Sequence, residues 1–173
     1  MDSHSAIADP AAAPRLYSVG HSDHGSAAFI ALLRRFNIEV VADVRSQPYS
    51  QWVPQFNRES FVRDLQTAGI RYAFMGDILG GRPADRAFYD KDESPNYARL
   101  AQSQDFQSGI ESLLETGRRA RVAFVCSEGD YHNCHRQKLI TPALLRRGAQ
   151  VVHILPDGTQ VEAQLEFEQQ SLF

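Results

Sequence analysis

The feature that most constrains the fold is a regular alternation of short apolar runs with longer segments in which apolar residues recur every three or four positions. The longer spacing places apolar side chains on one face of a helix, whereas short apolar runs are typical of buried strands. Five such runs are visible, at 16–19, 40–44, 71–74, 122–125 and 151–155. Strands that alternate with helices form a mostly parallel sheet, so we predict a three-layer, Rossmann-like α/β fold with about five strands and helices on both faces.

Local signals predict how some of these elements are placed and where they begin. The run 40–44 is almost continuously apolar, which is typical of a strand covered on both faces, and we place it at the centre of the sheet. Ser22 or Asp23 is suited to cap the first helix. Pro142 should kink or shorten the last helix, and the Pro-Asp-Gly sequence at 156–158 predicts a turn that opens a C-terminal hairpin.

Composition and charge narrow the class of protein. Residues 1–14 lack apolar periodicity and predict a disordered tail, which leaves 15–173 as a single domain. The net charge of −3 argues against a surface built throughout to bind nucleic acid, although a local basic cluster can still do so. Two cysteines, together with the lack of an apolar run of signal or membrane length, predict a cytoplasmic protein that does not enter a membrane.

Polar and reactive residues concentrate after the predicted strands. In an open parallel sheet, ligands bind outside the carboxyl ends of the strands, which makes these residues the candidates for a site. The residues for which we predict a catalytic role are His21, Asp43, Cys126 and Glu128. Those for which we predict substrate binding are Gly20, Ser22, Arg45, Asn57, Gly80, Gly81, Cys134, His135 and Arg136.

Two short segments allow both a functional and a structural interpretation. The sequence Gly20-His-Ser22 precedes a helix, where free backbone N–H groups favour an anion, but the glycine can equally serve a turn and the serine a cap. Asp43 and Arg45 are two positions apart at the end of a buried strand, so that both side chains lie on the same face. They are suited either to a structural ion pair or to a catalytic carboxylate beside an anion-binding arginine.

The loop from Cys126 to Arg136 contains two thiols, two imidazoles, two carboxylates and a guanidinium within eleven positions. Because Cys134 enters a helix and Arg136 follows it, either cysteine can become a thiolate nucleophile. The same loop can instead bind zinc through Cys126, Cys134 and one of His21, His132 or His135. The spacing is not that of a familiar zinc finger, so we assign no metal ligand from the sequence. The plainest alternative is that Cys126 is a small, buried apolar residue.

Five motifs in this order resemble the DUF488 family, a bacterial and archaeal family of unassigned activity. They are Ser18-Val-Gly-His-Ser22, Asp43-Val-Arg-Ser46, Phe56-Asn57, Leu79-Gly-Gly81 and the Cys126-Ser-Glu and Cys134-His-Arg136 ends of the loop. The resemblance covers nearly all of the chain after the tail, and it implies a fold and a site but no particular reaction.

A partial likeness to rhodanese domains rests on the Asp-Val-Arg motif and the cysteine-bearing loop before a helix. In those domains and in cysteine phosphatases, a cysteine and an arginine embrace an anion within one short loop. Cys126 and Arg136 are ten positions apart, which argues against a persulfide or phosphocysteine mechanism.

The sequence therefore predicts an enzyme, either a hydrolase or a transferase, that acts on an anionic substrate such as a nucleotide, a phosphate ester or a nucleic-acid end. One alternative is a non-catalytic nucleotide- or nucleic-acid-binding module, in which Tyr49, Trp52 and Phe56 stack on bases. Another is a thiol or zinc protein that uses the two cysteines. The sequence identifies no cofactor and no oligomeric state.

Overall fold

The computed structural model describes residues 13–165 and has the predicted α/β architecture. Its single sheet contains six strands in the order β3-β2-β4-β1-β5-β6. The strands are β1 (Arg15–Gly20), β2 (Val40–Asp43), β3 (Arg71–Phe74), β4 (Val122–Cys126), β5 (Gln150–Ile154) and β6 (Gln160–Glu162). The first five are parallel, and β6 is antiparallel to β5. The sheet exceeds the predicted number of about five strands because the turn at 156–158 does open a hairpin.

Six α-helices connect the strands within the described part of the chain. They are α1 (Ser26–Arg35), α2 (Arg58–Thr67), α3 (Gly76–Leu79), α4 (Tyr97–Ala101), α5 (Gln104–Arg119) and α6 (Thr141–Arg146). Three short 3-10 turns, Pro54–Phe56, Arg86–Phe88 and Tyr131–Asn133, and one π-helical turn, Arg136–Ile140, complete the secondary structure. None of the helices described is long and apolar enough to cross a membrane.

Two apolar clusters cover the two faces of the sheet, as predicted for a three-layer fold. Successive residues of a strand point to opposite faces, so Val40 contacts the cluster formed with α3 to α6, and Val41 contacts the cluster formed with α1 and α2. Both faces of β1 and β4 are therefore closed to water: every residue of β4 is buried, as is every residue of β1 after Arg15.

The prediction that residues 40–44 form the centre of the sheet is wrong. The strand β2 lies between β3 and β4, and the two innermost strands are β4 and β1. Apolar content cannot distinguish these positions, because every inner strand of such a sheet is covered on both faces. The insertion of β4 between β2 and β1 matters for function, since it places the end of β4 between the ends of two other strands.

The predicted helix boundaries are correct in part. Neither Ser22 nor Asp23 caps α1, because the helix begins at Ser26 and its cap position is Gly25. Pro142 does interrupt the last helix, since the π-helical turn ends just before it and α6 begins with this proline in its first turn. The predicted tail, 1–14, lies outside the described residues except for its last two positions.

Candidate active site

The strand order brings three strand ends together at the carboxyl edge of the sheet. Gly20 of β1 pairs with Cys126 of β4, and Asp43 of β2 pairs with Val125 of β4. A cleft of about 770 Å³ opens above these ends. It is lined by Arg45, Ser46, Gln47, Phe74, Gly76, Asp77, Gly81, Arg82, Pro83, Ala84, Tyr89, Tyr97, Cys126, Ser127, Glu128, Asn133, Cys134 and His135.

Cys126 and Cys134 are both free and buried at the floor of this cleft. A hydrogen bond from Cys134, the nearby Arg136 charge and hydrogen bonds with the backbone of Glu128 and Ser127 lower the pKa of Cys126 to about 6, against the effect of burial. The pKa of Cys134 is raised to about 12, because its thiol is engaged by Cys126 and is itself buried. The proximity of the two thiols thus favours ionisation of one of them and opposes ionisation of the other.

His135 faces both sulfur atoms. Its Nδ1 lies 3.7 Å from the Sγ of Cys126 and 3.7 Å from the Sγ of Cys134. Its Nε2 lies 3.0 Å from the backbone oxygen of Val44. A carbonyl oxygen only accepts hydrogen bonds, so Nε2 carries the proton of the neutral ring and Nδ1 presents a lone pair to the sulfurs.

Arg136 is fully buried directly behind the cysteine loop. Its guanidinium donates to the Oγ of Ser18 at 2.8 Å and to the backbone oxygen of Glu128. Both acceptors are neutral, and no carboxylate within residues 13–165 forms an ion pair with this side chain. The positive charge of Arg136 is thus held beneath Cys126 without an acidic partner.

A buried chain of hydrogen bonds holds Arg136 in place. The Oγ of Ser18 lies 2.9 Å from Nδ1 of His153, and Nε2 of His153 lies 2.8 Å from Oε1 of Gln137. Burial, with a further contribution from the Arg136 charge, lowers the pKa of His153 to about 4. In the neutral ring, Nε2 donates to Gln137, and Nδ1 accepts from Ser18, which in turn accepts from Arg136.

Asp43 and Arg45 form the bidentate ion pair that was one interpretation of their spacing. The Nε and Nη2 atoms of Arg45 each lie 2.8 Å from a carboxylate oxygen of Asp43, and Tyr72 donates to the same carboxylate at 2.6 Å. Arg45 also donates to the backbone oxygen of Phe56 at 2.7 Å. The pair therefore ties the end of β2 to the following loop.

His21 belongs to the same buried cluster. Its ring stacks on Phe56, and its Nε2 lies 3.2 Å from Nη1 of Arg45. Burial is the main reason why the pKa of His21 falls to about 4, and the charge of Arg45 lowers it further. Nδ1 of His21 lies 2.8 Å from the backbone oxygen of Ser22, so that Nδ1 donates and Nε2 accepts from Arg45.

Comparison with protein families decides the relationship that the five motifs suggested. Residues 26–141 match the family described as Domain of unknown function DUF488. The chain belongs to the DUF488 family. No curated protein and no solved structure matches the chain.

The DUF488 fold brings only part of the predicted site into the cleft. The predicted residues that line it are Arg45, Gly81, Cys126, Glu128, Cys134 and His135. The predicted residues that are outside its lining, among those the structure describes, are Gly20, His21, Ser22, Asp43, Asn57, Gly80 and Arg136. Asn57, at the cap position of α2, accepts a hydrogen bond from the backbone of Ser50 at 2.7 Å, and no cap bond forms.

Close packing leaves no room for a side chain at three glycines of the DUF488 motifs. A Cβ atom on Gly20 would lie 1.7 Å from the backbone oxygen of Glu128. A Cβ atom on Gly80 would lie 2.2 Å from the Oγ of Ser46, and one on Gly81 would lie 2.8 Å from Cγ of His135. These glycines allow the loops of the cleft to approach one another closely.

Sequence reasoning missed the part of the cleft lining that comes from the chain between β3 and α5. Asp77, Arg82, Tyr89 and Tyr97 lie there, on or near the irregular segment between β3 and α5. Tyr97 donates to the backbone oxygen of Gly81 at 3.2 Å. The position of Arg82 after the two glycines that follow the third predicted strand was the only signal that pointed to this part of the lining.

Proposed function

We propose that this DUF488 protein is an enzyme that acts on an anionic, phosphate-bearing substrate bound in the cleft. The observation that carries the proposal is Arg136, whose buried guanidinium lies behind Cys126 and has only neutral acceptors among the described residues. A buried charge is costly unless an opposite charge compensates it. Negative charge at the cleft floor, from a thiolate or from a ligand, provides that compensation.

Arg82, which also lines the cleft, favours a phosphate-bearing substrate as well. Its side chain is exposed and forms no ion pair with any described carboxylate, while its backbone N–H donates to the Oγ of Ser46 at 2.9 Å. An exposed guanidinium without a carboxylate partner is suited to bind a phosphate group with two parallel hydrogen bonds. The volume of about 770 Å³ falls within the range of pockets that hold small ligands, and it suffices for a nucleotide.

Two carboxylates supply proton transfer in this proposal. Asp77 and Glu128 both line the cleft, and both residues are exposed. A general acid or base must reach the reacting group through a hydrogen bond, which such positions allow. We assign His21 and Asp43 to the positioning of Arg45 and the loop that follows it, because their polar atoms are engaged there.

Binding affinity tests the proposal. Replacing Arg82 by Ala should weaken the binding of nucleoside monophosphates, measured by isothermal titration calorimetry, by roughly tenfold or more, as expected for a charge-assisted hydrogen bond. Arg119 is a matched control, since it is an exposed arginine at the opposite, amino edge of the sheet. Equal losses in Arg82→Ala and Arg119→Ala, or no loss in either, would contradict a phosphate site in the cleft.

A second candidate function, a nucleic-acid-binding module without catalysis, is favoured by one observation. Trp52 and Tyr49 are 83% and 59% exposed in the loop after β2, where their rings are open to stacking on bases. Phe56, the third aromatic residue of this loop, is buried and unable to stack in this way. Binding of single-stranded oligonucleotides that is lost in Trp52→Ala and unaffected by Arg82→Ala would favour this function instead.

A further inference from the structure

Three donor atoms at the cleft floor have the arrangement of a metal-binding set. The Sγ atoms of Cys126 and Cys134 and the Nδ1 atom of His135 all lie within 4.8 Å of one another. With zinc bonds of about 2.3 Å to sulfur and about 2.05 Å to nitrogen, tetrahedral coordination separates a sulfur ligand from a nitrogen ligand by about 3.6 Å. The two observed separations of 3.7 Å between Nδ1 and the sulfurs match this value.

The ring of His135 is also oriented as a ligand. Its Nε2 donates to the backbone oxygen of Val44 at 3.0 Å, which leaves the lone pair of Nδ1 directed at the sulfurs. Metal-binding histidines typically donate their second N–H to an oxygen in this way, and that bond fixes both the tautomer and the ring. Gly81 packs so closely against the ring that a Cβ atom there would lie 2.8 Å from Cγ of His135.

The other histidines considered from the sequence have different partners. His132 is exposed, and its Nδ1 lies 2.7 Å from the carboxylate of Asp130. The ring of His21 is engaged by Ser22 and Arg45. Of the three, His135 alone joins the two cysteines in a group suited to a metal within residues 13–165.

We propose that Cys126, Cys134 and His135 bind a zinc ion whose fourth coordination position opens onto the cleft. Two thiolates and an imidazole are the ligands that zinc prefers. All three residues line the cleft, so a fourth ligand comes from a water molecule or from the substrate. Three protein ligands with one open position is the pattern of catalytic zinc, whereas structural sites have four.

The charges of such a centre suit an anionic substrate. Two thiolates neutralise the charge of Zn²⁺, so the centre itself does not compensate the charge of Arg136 behind the loop. A zinc ion held here would lower the pKa of a bound water, whose oxygen would form a bond to phosphorus as the ester P–O bond breaks and the leaving alcohol takes up a proton. This catalytic use rests on the proposed function, whereas the metal site itself can be tested separately.

Metal titration of the full chain, purified with reductant and stripped with a chelator, tests the site. We expect one Zn²⁺ per chain in competition with a chromophoric chelator, and one Co²⁺ with the sulfur-to-cobalt charge-transfer bands of thiolate ligands. His135→Ala and Cys134→Ser should weaken zinc binding by more than the roughly 10–100-fold that loss of an outer-shell partner costs, because each removes a direct ligand. His132→Ala, in the same loop, should leave it unchanged. Equal affinity in all four proteins would overturn the assignment.

X-ray absorption at the zinc edge of the wild-type protein gives a test that does not depend on the folding of variants. The expected spectrum contains two sulfur and one imidazole nitrogen neighbour, with one further light atom. A first shell without sulfur, or with imidazole absent, would overturn the assignment.

Arg82→Ala separates the two proposals, because it should weaken nucleotide binding and leave zinc affinity intact. If the wild-type protein binds nucleotide but no zinc, the proposed metal site is wrong and the proposed function stands. If it binds zinc but Arg82→Ala leaves nucleotide binding unchanged, the proposed function is wrong and the proposed metal site stands.

Discussion

Arg136 and His153 show how single buried residues shape the site. The guanidinium of Arg136 lies behind the cysteine loop. A series of hydrogen bonds through Ser18, His153 and Gln137 keeps it in that position. The Ser18 hydroxyl can donate to Nδ1 of His153 only while His153 is neutral. The orientation of Arg136 therefore depends on the protonation state of a histidine that never touches the cleft lining.

This dependence predicts how stability changes with pH. The pKa of His153 falls from its ordinary value of 6.5 to about 4 in the folded protein. The unfolded chain therefore binds a proton that the folded chain does not between these values, so His153 contributes stability above pH 6.5 that is lost as the pH falls towards 4. The slope from one such group is at most about 1.4 kcal/mol per pH unit.

Urea denaturation of His153→Gln across this pH window measures the effect. The free energy of unfolding should fall less steeply with decreasing pH in the variant than in the wild type. His21 has a lowered pKa of about 4 as well, so some slope remains. An unchanged slope in His153→Gln would show that this residue is not buried in the neutral form.

At the scale of elements, the contact between the end of β1 and the cysteine loop holds the cleft floor together. The backbone N–H groups of His21 and Ser22 donate to the backbone oxygens of Cys126 and Ser127, each at 2.9 Å. Gly20 lies against the backbone of Glu128 at this contact, with no room for a side chain. The loop that carries both cysteines is thus fixed to a central strand and is not free-standing.

Gly20→Ala should therefore be strongly destabilising. The added methyl group would force β1 and the loop apart, which costs about 1–3 kcal/mol or more in the free energy of unfolding. Gly25→Ala is the control, since a Cβ atom there meets nothing within 4 Å and φ is −66°. Thermal or urea denaturation compares the two variants. Equal stability of the two would mean that the loop is not packed against β1.

Elements with strong local signals were predictable from the sequence. Pro142 interrupts the last helix as predicted, and the Pro-Asp-Gly turn at 156–158 opens the predicted hairpin. The cap of α1 was not predictable, because Ser22 adopts a left-handed φ of 49° and the chain continues to Gly25 before the helix begins. Hydrogen bonds to the distant Cys126–Ser127 backbone impose that conformation, and a local pattern does not contain them.

At the scale of the whole molecule, the sequence indicated which edge of the sheet carries reactive groups but not how they are arranged. The two cysteines were predictable as a pair because one short loop contains them, whereas the choice of His135 over His21 and His132 comes from the structure. The position of β4 between β2 and β1 was not, since all inner strands have similar apolar patterns. The contribution of Arg82 and Tyr97 to the cleft was not predictable either, because tertiary packing and not a local sequence pattern brings these residues to the loop.

An amide NMR titration of the zinc-supplemented protein with a nucleoside monophosphate is the most direct test of a functional site in this cleft, because it surveys the whole chain at once. We predict that the largest shifts cluster at 81–84 and 126–136, on the two walls of the cleft. Shifts confined to the exposed aromatic loop around Trp52, or no saturable shifts at all, would contradict a site for anionic substrates at the carboxyl edge of the sheet.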